Sequence, residues 1–134
     1  MRIALMVLVG VVALLMLPLG VQWVFMPGTT AQDAGITLIG PVALSTARGD
    51  VGGMFLAGAA MAIIGLVTRN ATWLRALALL LAMIALCRLV GFVQEGTAPE
   101  SIQAFVAEIL MTTVLLARAW QQDREHAQRK VGPA

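Results

Sequence analysis

Four long apolar segments, separated by short connections, constrain this chain more than any other feature of its sequence. Each segment has about 20 residues or more, enough for a helix to cross roughly 30 Å of hydrocarbon. Apolar residues make up 60% of the 134 residues and charged residues only 12%, too few to cover a soluble protein with polar surface. The segments occupy residues 3–26, 47–67, 74–93 and 102–120.

The length of the segments and the properties of lipid determine the expected fold class. Only helices and closed barrels satisfy the backbone polar groups within a bilayer. The first segment is longer than a signal-peptide core and no small-x-small cleavage site follows it, so we expect an uncleaved helix. We therefore predict an all-α, four-transmembrane-helix bundle as a single domain over residues 1–120. Residues 121–134 form a polar tail, either a frayed helical extension or disordered.

The basic residues predict the orientation of the bundle. Seven of the nine lie at the start of the chain, around the connection between the second and third segments, or from the end of the fourth segment onward: Arg2, Arg69, Arg75, Arg118, Arg124, Arg129 and Lys130. With four crossings, all seven fall on one side of the membrane, and short segments rich in Lys and Arg stay cytoplasmic. We predict a multi-pass protein of the bacterial inner membrane, with both termini cytoplasmic and the lipid bilayer as its surroundings.

Composition also excludes several classes of function. A net charge of +2 without a basic stripe argues against nucleic acid as a partner. The single cysteine, Cys87, excludes an intrachain disulfide. The single histidine, His126, lies in the polar tail, so histidine ligation of a haem or metal inside the bundle is not expected. We expect no metal and no cofactor.

The second segment is rich in glycine and alanine and is expected to be the central helix. Small residues four positions apart let helix backbones approach closely within a membrane. The same pattern would suit either packing inside the bundle or the seam of a homodimer. The residues assigned to helix packing are Gly52, Gly53, Gly58, Ala62 and, on the third segment, Gly91.

Two charged residues interrupt the third and fourth segments. Arg88 lies about five residues before the end of the third segment, and Glu108 about six after the start of the fourth. Because these segments form an antiparallel hairpin, the two side chains should lie at nearly the same depth. A lone charge at such depth costs about 2.5–3.5 kcal/mol, which a partner of opposite sign largely removes. We predict an Arg88–Glu108 ion pair.

Arg48 is expected to enter the same region from the second segment. It falls in the predicted first turn of that helix, where the helix dipole disfavours a positive charge. Asp50 suits this turn but points to a nearly opposite face. We therefore expect Arg48 to reach inward toward Glu108, toward Glu95 or toward an anionic ligand.

Two further polar residues extend this cluster along the helices. Glu95 lies two turns beyond Arg88, and Thr112 one turn below Glu108. The cluster predicts a polar pocket that opens to the outer leaflet. It has a structural interpretation, in which the ion pair sets helix register, and a functional one, in which it binds a ligand or performs catalysis. An ion pathway is less favoured, because no carboxylate continues through the cytoplasmic half.

These residues also carry a resemblance to a known family. The pattern Arg48-x-x-x-Gly52-Gly53 with Gly58, followed by Arg88-x-x-Gly91, Gly96 and Glu108, resembles the bacterial domain of unknown function 4345. The resemblance covers roughly residues 48–119 and implies a small four-helix membrane protein. Asp50 departs from the aromatic or aliphatic residue that the family tends to have after its first arginine. The family has no established activity, so the resemblance implies a fold and a residue set.

Two hypotheses of function follow from the sequence. The first is a small membrane protein that binds a lipid-like ligand or serves as an accessory subunit of a membrane complex. The second is a membrane enzyme that acts on a lipophilic substrate, with Glu108 as acid or base beside an arginine. A transporter subunit is disfavoured, because the chain has no convincing inverted repeat.

Overall fold

The computed structural model describes residues 2–131, and these residues form helices joined by short connections without any strand. The six α-helices of these residues are α1 (Arg2–Phe25), α2 (Pro27–Asp33), α3 (Gly40–Thr46), α4 (Gly53–Val67), α5 (Ala71–Glu95) and α6 (Pro99–Val131). A π-helical turn, Ala47–Gly52, joins α3 and α4 into one continuous helix.

Within residues 2–131, four helical units are long and apolar enough to cross a membrane: Arg2–Phe25, Gly40–Val67, Ala71–Glu95 and Pro99–Gln128. The predicted all-α class with four candidate crossings is therefore confirmed. Neighbours in the chain are neighbours in space, and α6 returns to contact α1. The four units thus form a closed up-and-down bundle.

Two of the helices extend beyond the predicted segments. The second unit begins at Gly40, where Pro41 occupies the first turn and its missing N–H costs no hydrogen bond. α6 continues as far as Val131, so most of the polar tail is helical. Gln122 on this extension is fully buried and its Nε2 donates to the carbonyl oxygen of Gly65, 3.0 Å away.

The two ends of the bundle differ in charge. At one end, here called the basic end, Arg2 pairs with Glu125 at 3.4 Å and Arg75 pairs with Asp123. There the carbonyl oxygen of Arg69 lies 2.9 Å from Nε2 of His126. The other end, here called the acidic end, comprises α2, α3, the π-helical turn, and the connection between α5 and α6 with the helix ends that flank it. Its exposed carboxylates are those of Asp33, Asp50, Glu95 and Glu100.

Small residues allow α4 to approach its neighbours closely. Ala62 is fully buried, and a Cβ added at Gly58 would lie 2.5 Å from Cε of Met16. A Cβ at Gly52 would lie 2.8 Å from Cγ2 of Val24. These contacts place one face of α4 directly against α1.

Two of the glycines assigned to packing lie elsewhere. A Cβ at Gly53 would meet nothing within 4 Å, and one at Gly91 would meet only Glu95 Oε2 at 3.7 Å. Both therefore lie away from the helix contacts, because the buried face of the second unit runs from Gly52 in the π-helical turn through Gly58 of α4. The closest approach to backbone is instead at Gly20 of α1, where a Cβ would lie 2.9 Å from the backbone nitrogen of Leu56.

We predict that Gly20→Ala lowers the free energy of unfolding by about 1–3 kcal/mol, because the backbone of Leu56 cannot rotate away from the added methyl group. The matched change Gly53→Ala should leave stability unchanged or raise it by up to about 1 kcal/mol, because it adds helix propensity in open space. Unfolding in mixed micelles with a rising fraction of a denaturing detergent, followed by circular dichroism, measures both. Equal losses in the two variants would contradict the assignment.

Candidate functional site

The predicted Arg88–Glu108 ion pair is present between α5 and α6. Nε of Arg88 donates to both carboxylate oxygens of Glu108, at 2.9 Å to Oε1 and 3.2 Å to Oε2. Glu108 is 7% exposed, whereas the Arg88 side chain is 36% exposed. Nearer the turn, the rings of Phe92 and Phe105 meet edge to face at 5.7 Å and support the same pairing of the two helices.

The ion pair forms one wall of a cavity of about 500 Å³ within the bundle. Helices α1, α4, α5 and α6 all contribute to its lining, and Ala34 and Ile36 contribute from the connection after α2. The hydrophobic part of the wall includes Met16, Trp23, Met54, Phe55, Leu81 and Met111. The cavity is therefore mainly apolar, with charged and polar groups concentrated on α5 and α6.

The spacing of residues on α6 explains why the cavity lies beside the ion pair. Ser101, Ala104, Glu108 and Met111 line it together, and steps of three and four residues place them on one helix face. Ala104 is small and leaves space between helices where a larger side chain would fill it. Of this stripe, only Glu108 was predicted from the sequence, although the three- and four-residue spacing of the other members is present there.

Trp23 is a further lining residue that the sequence did not reveal. Its side chain is 7% exposed and packs with Ala31 of α2 and Ala47 of the π-helical turn. The short helix α2 therefore covers the end of α1 and fixes the indole ring at the cavity wall.

Arg48 does not reach Glu108 or Glu95, two of the three partners expected for it. Its Nε donates to the carbonyl oxygen of Val24, 3.0 Å away, in the last turn of α1. The carbonyl groups at a helix C-terminus lack partners and carry partial negative charge, so an arginine there is favourable. The argument from the helix dipole was wrong for Arg48, because the helix begins at Gly40 and not near residue 47.

The remaining candidate residues have different positions. Asp50 is exposed in the π-helical turn and does not line the cavity. Glu95 lines a smaller neighbouring cavity of about 360 Å³, which shares Ile84, Arg88 and Ser101 with the larger one. Oγ1 of Thr112 is buried without a hydrogen-bond partner among the described residues, and Thr112 lies outside the cavity lining.

A second polar cluster, which the sequence did not predict, lies at the basic end. Arg118, one of the seven basic residues that predict orientation, is fully buried there. Its Nη1 donates to Oε1 of Gln121 at 3.0 Å and lies 3.4 Å from Oε1 of Glu125. The spacing of these residues, three and seven positions after Arg118, places all of them on one face of α6.

Within residues 2–131, no group of three or more His, Cys, Asp or Glu side chains is arranged to hold a metal ion. The site is thus described by its ion pair and its apolar wall.

Comparison with known proteins identifies a family. The family model described as Domain of unknown function (DUF4345) matches residues 4–119, which include α1 as well as the region of the sequence motifs. No curated protein and no solved structure matches the chain significantly.

We predict that Arg88→Ala and Glu108→Ala each destabilise the protein and are coupled by at least about 1 kcal/mol in a double-mutant cycle, because the two residues share hydrogen bonds. Arg48→Ala combined with Glu108→Ala is the matched control. It should be additive within about 0.5 kcal/mol, since Arg48 bonds to Val24 instead. Unfolding in mixed micelles measures both cycles, and additivity in the first would contradict the importance of the ion pair.

Proposed function

The chain belongs to the DUF4345 family, and we propose that it is a multi-pass membrane protein that binds a lipid-like ligand in the cavity beside Arg88 and Glu108. The observation that carries this proposal is the cavity itself, about 500 Å³ with a mainly apolar wall and one ion pair. Small-molecule sites have volumes of about 300–1,000 Å³ and combine an apolar lining with a few polar groups that fix orientation.

The apolar wall suits a hydrocarbon chain or ring. Trp23 and Phe55 supply flat aromatic surface, and Met54 and Met111 supply unbranched side chains that adapt to irregular shapes. A ligand taken from the bilayer would exchange one apolar environment for another. The polar groups of the cavity, rather than the hydrophobic effect, would therefore select the ligand.

The ion pair suits a polar group at one end of the ligand. In the hydrogen bonds of the described residues, Arg88 uses only Nε toward Glu108, so its two Nη groups remain as donors to a ligand oxygen. The carboxylate of Glu108 has lone pairs beyond those used by Arg88 and can accept from a ligand hydroxyl or N–H group. The fitting ligand is therefore an amphiphile with a hydrogen-bonding head.

The charge of the two ends supports a particular placement in the membrane. We infer a bacterial inner-membrane protein whose basic end, with both chain termini, lies in the cytoplasm. The acidic end then faces outward, and the cavity lies in the outer half of the bilayer.

Catalysis on a lipophilic substrate is the second candidate function. A carboxylate that is 7% exposed and lines an apolar cavity favours it, because such a group can transfer protons to a bound molecule. Protonation of Glu108 would, however, remove the charge that Arg88 is paired with. Binding is therefore better supported. A docking role as an accessory subunit has less support, because contact with lipid already explains the exposed apolar side chains of the four long helices.

We predict that native mass spectrometry of the protein, extracted gently from its own membrane, detects a reproducible small adduct. Ala104→Phe should abolish the adduct, because the ring fills the cavity, and Glu108→Gln should reduce its occupancy at least about fivefold. Ala60→Phe is the control, since Ala60 is exposed on α4 and does not line this cavity. Its adduct should persist at wild-type occupancy.

Two outcomes would contradict the proposal. Retention of the adduct in Ala104→Phe would place the ligand elsewhere on the protein. A stoichiometric protein partner without any adduct would assign the function to a complex. Circular dichroism of each variant establishes that it is folded before the comparison is made.

A further inference from the structure

A groove of about 490 Å³ lies between α1 and α6 at the basic end, apart from the cavity beside Arg88. It shares no lining residue with the cavity beside Arg88, so its chemistry is independent of the proposed function. Leu5 and Trp120 form an apolar part of its wall, and Gln121, Arg124, Glu125 and Gln128 form a polar part.

The polar part of this groove belongs to a cluster in which guanidinium groups outnumber carboxylates. Arg124 and Glu125 of the lining balance each other, and the excess positive charge comes from Arg2 and Arg118, which contact Glu125. The same oxygen of Glu125, Oε1, lies 3.4 Å from Nε of Arg2 and 3.4 Å from Nη1 of Arg118. One carboxylate therefore faces two guanidinium groups, and Arg124 adds a third at the groove wall. The nearby carboxylate of Asp123 does not offset this excess, because it is paired with Arg75 of α5.

Arg118 is the buried arginine of this cluster, and its neighbours only partly compensate its positive charge. Its side chain is 1% exposed and its Nε has no hydrogen-bond partner among the described residues. A buried charge is costly unless it is paired and its donors are satisfied. Gln121 and Glu125, which contact its Nη1, both line the groove. An anion in the groove would thus lie close to the charge that most needs compensation.

The apolar part of the groove is suited to the surface of a bilayer. The guanidinium carbon of Arg124 lies 3.5 Å from the centroid of the Trp120 ring, a cation–π contact that keeps the charge beside an apolar surface. Trp120 is 54% exposed, and tryptophan favours the level of the lipid headgroups. The groove therefore offers positive charge with apolar contact directly next to it, and under the membrane placement proposed above both would lie at headgroup level.

We propose that this groove binds an anionic phospholipid. The phosphate group lies between Arg124 and Arg2, near Gln121 and Gln128, and an acyl chain follows Leu5 and Trp120. The anionic lipid supplies the negative charge that Glu125 alone does not provide to the cluster. Basic residues at a membrane surface attract anionic lipids in this way.

Native mass spectrometry of the delipidated full-length protein in neutral detergent tests the proposal with three probes: phosphatidylglycerol, phosphatidylcholine and inorganic phosphate. We expect phosphatidylglycerol to bind at least about tenfold more tightly than phosphatidylcholine. Arg124→Gln and Arg2→Gln should each weaken its binding about fivefold, the loss expected for one basic residue near a membrane surface. Both side chains are substantially exposed, so the variants are expected to fold.

Arg69→Gln is the matched control, because it removes the same charge from the same end of the bundle at a residue outside the groove. It should change phosphatidylglycerol binding less than about twofold. A loss as large as that of Arg124→Gln would overturn the proposal in favour of a general charge effect. Equal binding of phosphatidylglycerol and phosphatidylcholine would also overturn it. Displacement of phosphatidylglycerol by millimolar phosphate would overturn the assignment to a lipid and indicate a site for an inorganic anion.

Ala104→Phe separates this proposal from the proposed function. The substitution should leave phosphatidylglycerol binding unchanged, because Ala104 lines the cavity and not the groove. Loss of phosphatidylglycerol binding in this variant would place the lipid in the cavity and overturn the assignment to the groove.

Discussion

Two opposite charges at the same depth in α5 and α6 govern the half of the bundle that contains the cavity. Separately, Arg88 and Glu108 would each oppose insertion into hydrocarbon, and together they favour one register of the hairpin. That register turns the stripe that begins at Ser101 toward α1 and α4. Because Ala104 on this stripe is small, the helices enclose space beside the ion pair rather than closing over it. Helix pairing and the candidate site thus depend on the same contact.

The other half of the bundle depends on close packing and on a different set of charges. Gly58 and Ala62 let α4 lie against its neighbours, and large side chains such as Leu74 and Leu77 fill the remaining core. At the edge of this core, next to the core residue Ala119, α6 carries the buried Arg118, and it then continues to Val131. The packed middle therefore separates two polar regions, a cavity with a near-neutral ion pair and a groove beside a cluster with excess positive charge. These regions suit different ligand chemistries.

The features that the sequence predicted well are those determined by the length and apolar character of its segments. Four such segments, with Arg88 and Glu108 at similar distances from a short turn, leave few alternative arrangements of the helices. The position of Arg48 was not predictable in the same way, because the apolar stretch before it proved to be helix and moved it away from a helix start. The burial of Arg118 and Gln122 depends on contacts with α4 and within α6, and a count of basic residues does not reveal such contacts.

The opposite charges of the two ends also give the bundle a fixed electric dipole along its long axis. In a membrane with its negative potential on the side of the basic end, the field favours this arrangement over the inverted one. Each elementary charge carried across such a membrane changes the energy by about 2.3 kcal/mol per 100 mV. An energised membrane would therefore reinforce one orientation, and it would keep the cavity and the groove in opposite leaflets for as long as the potential is maintained.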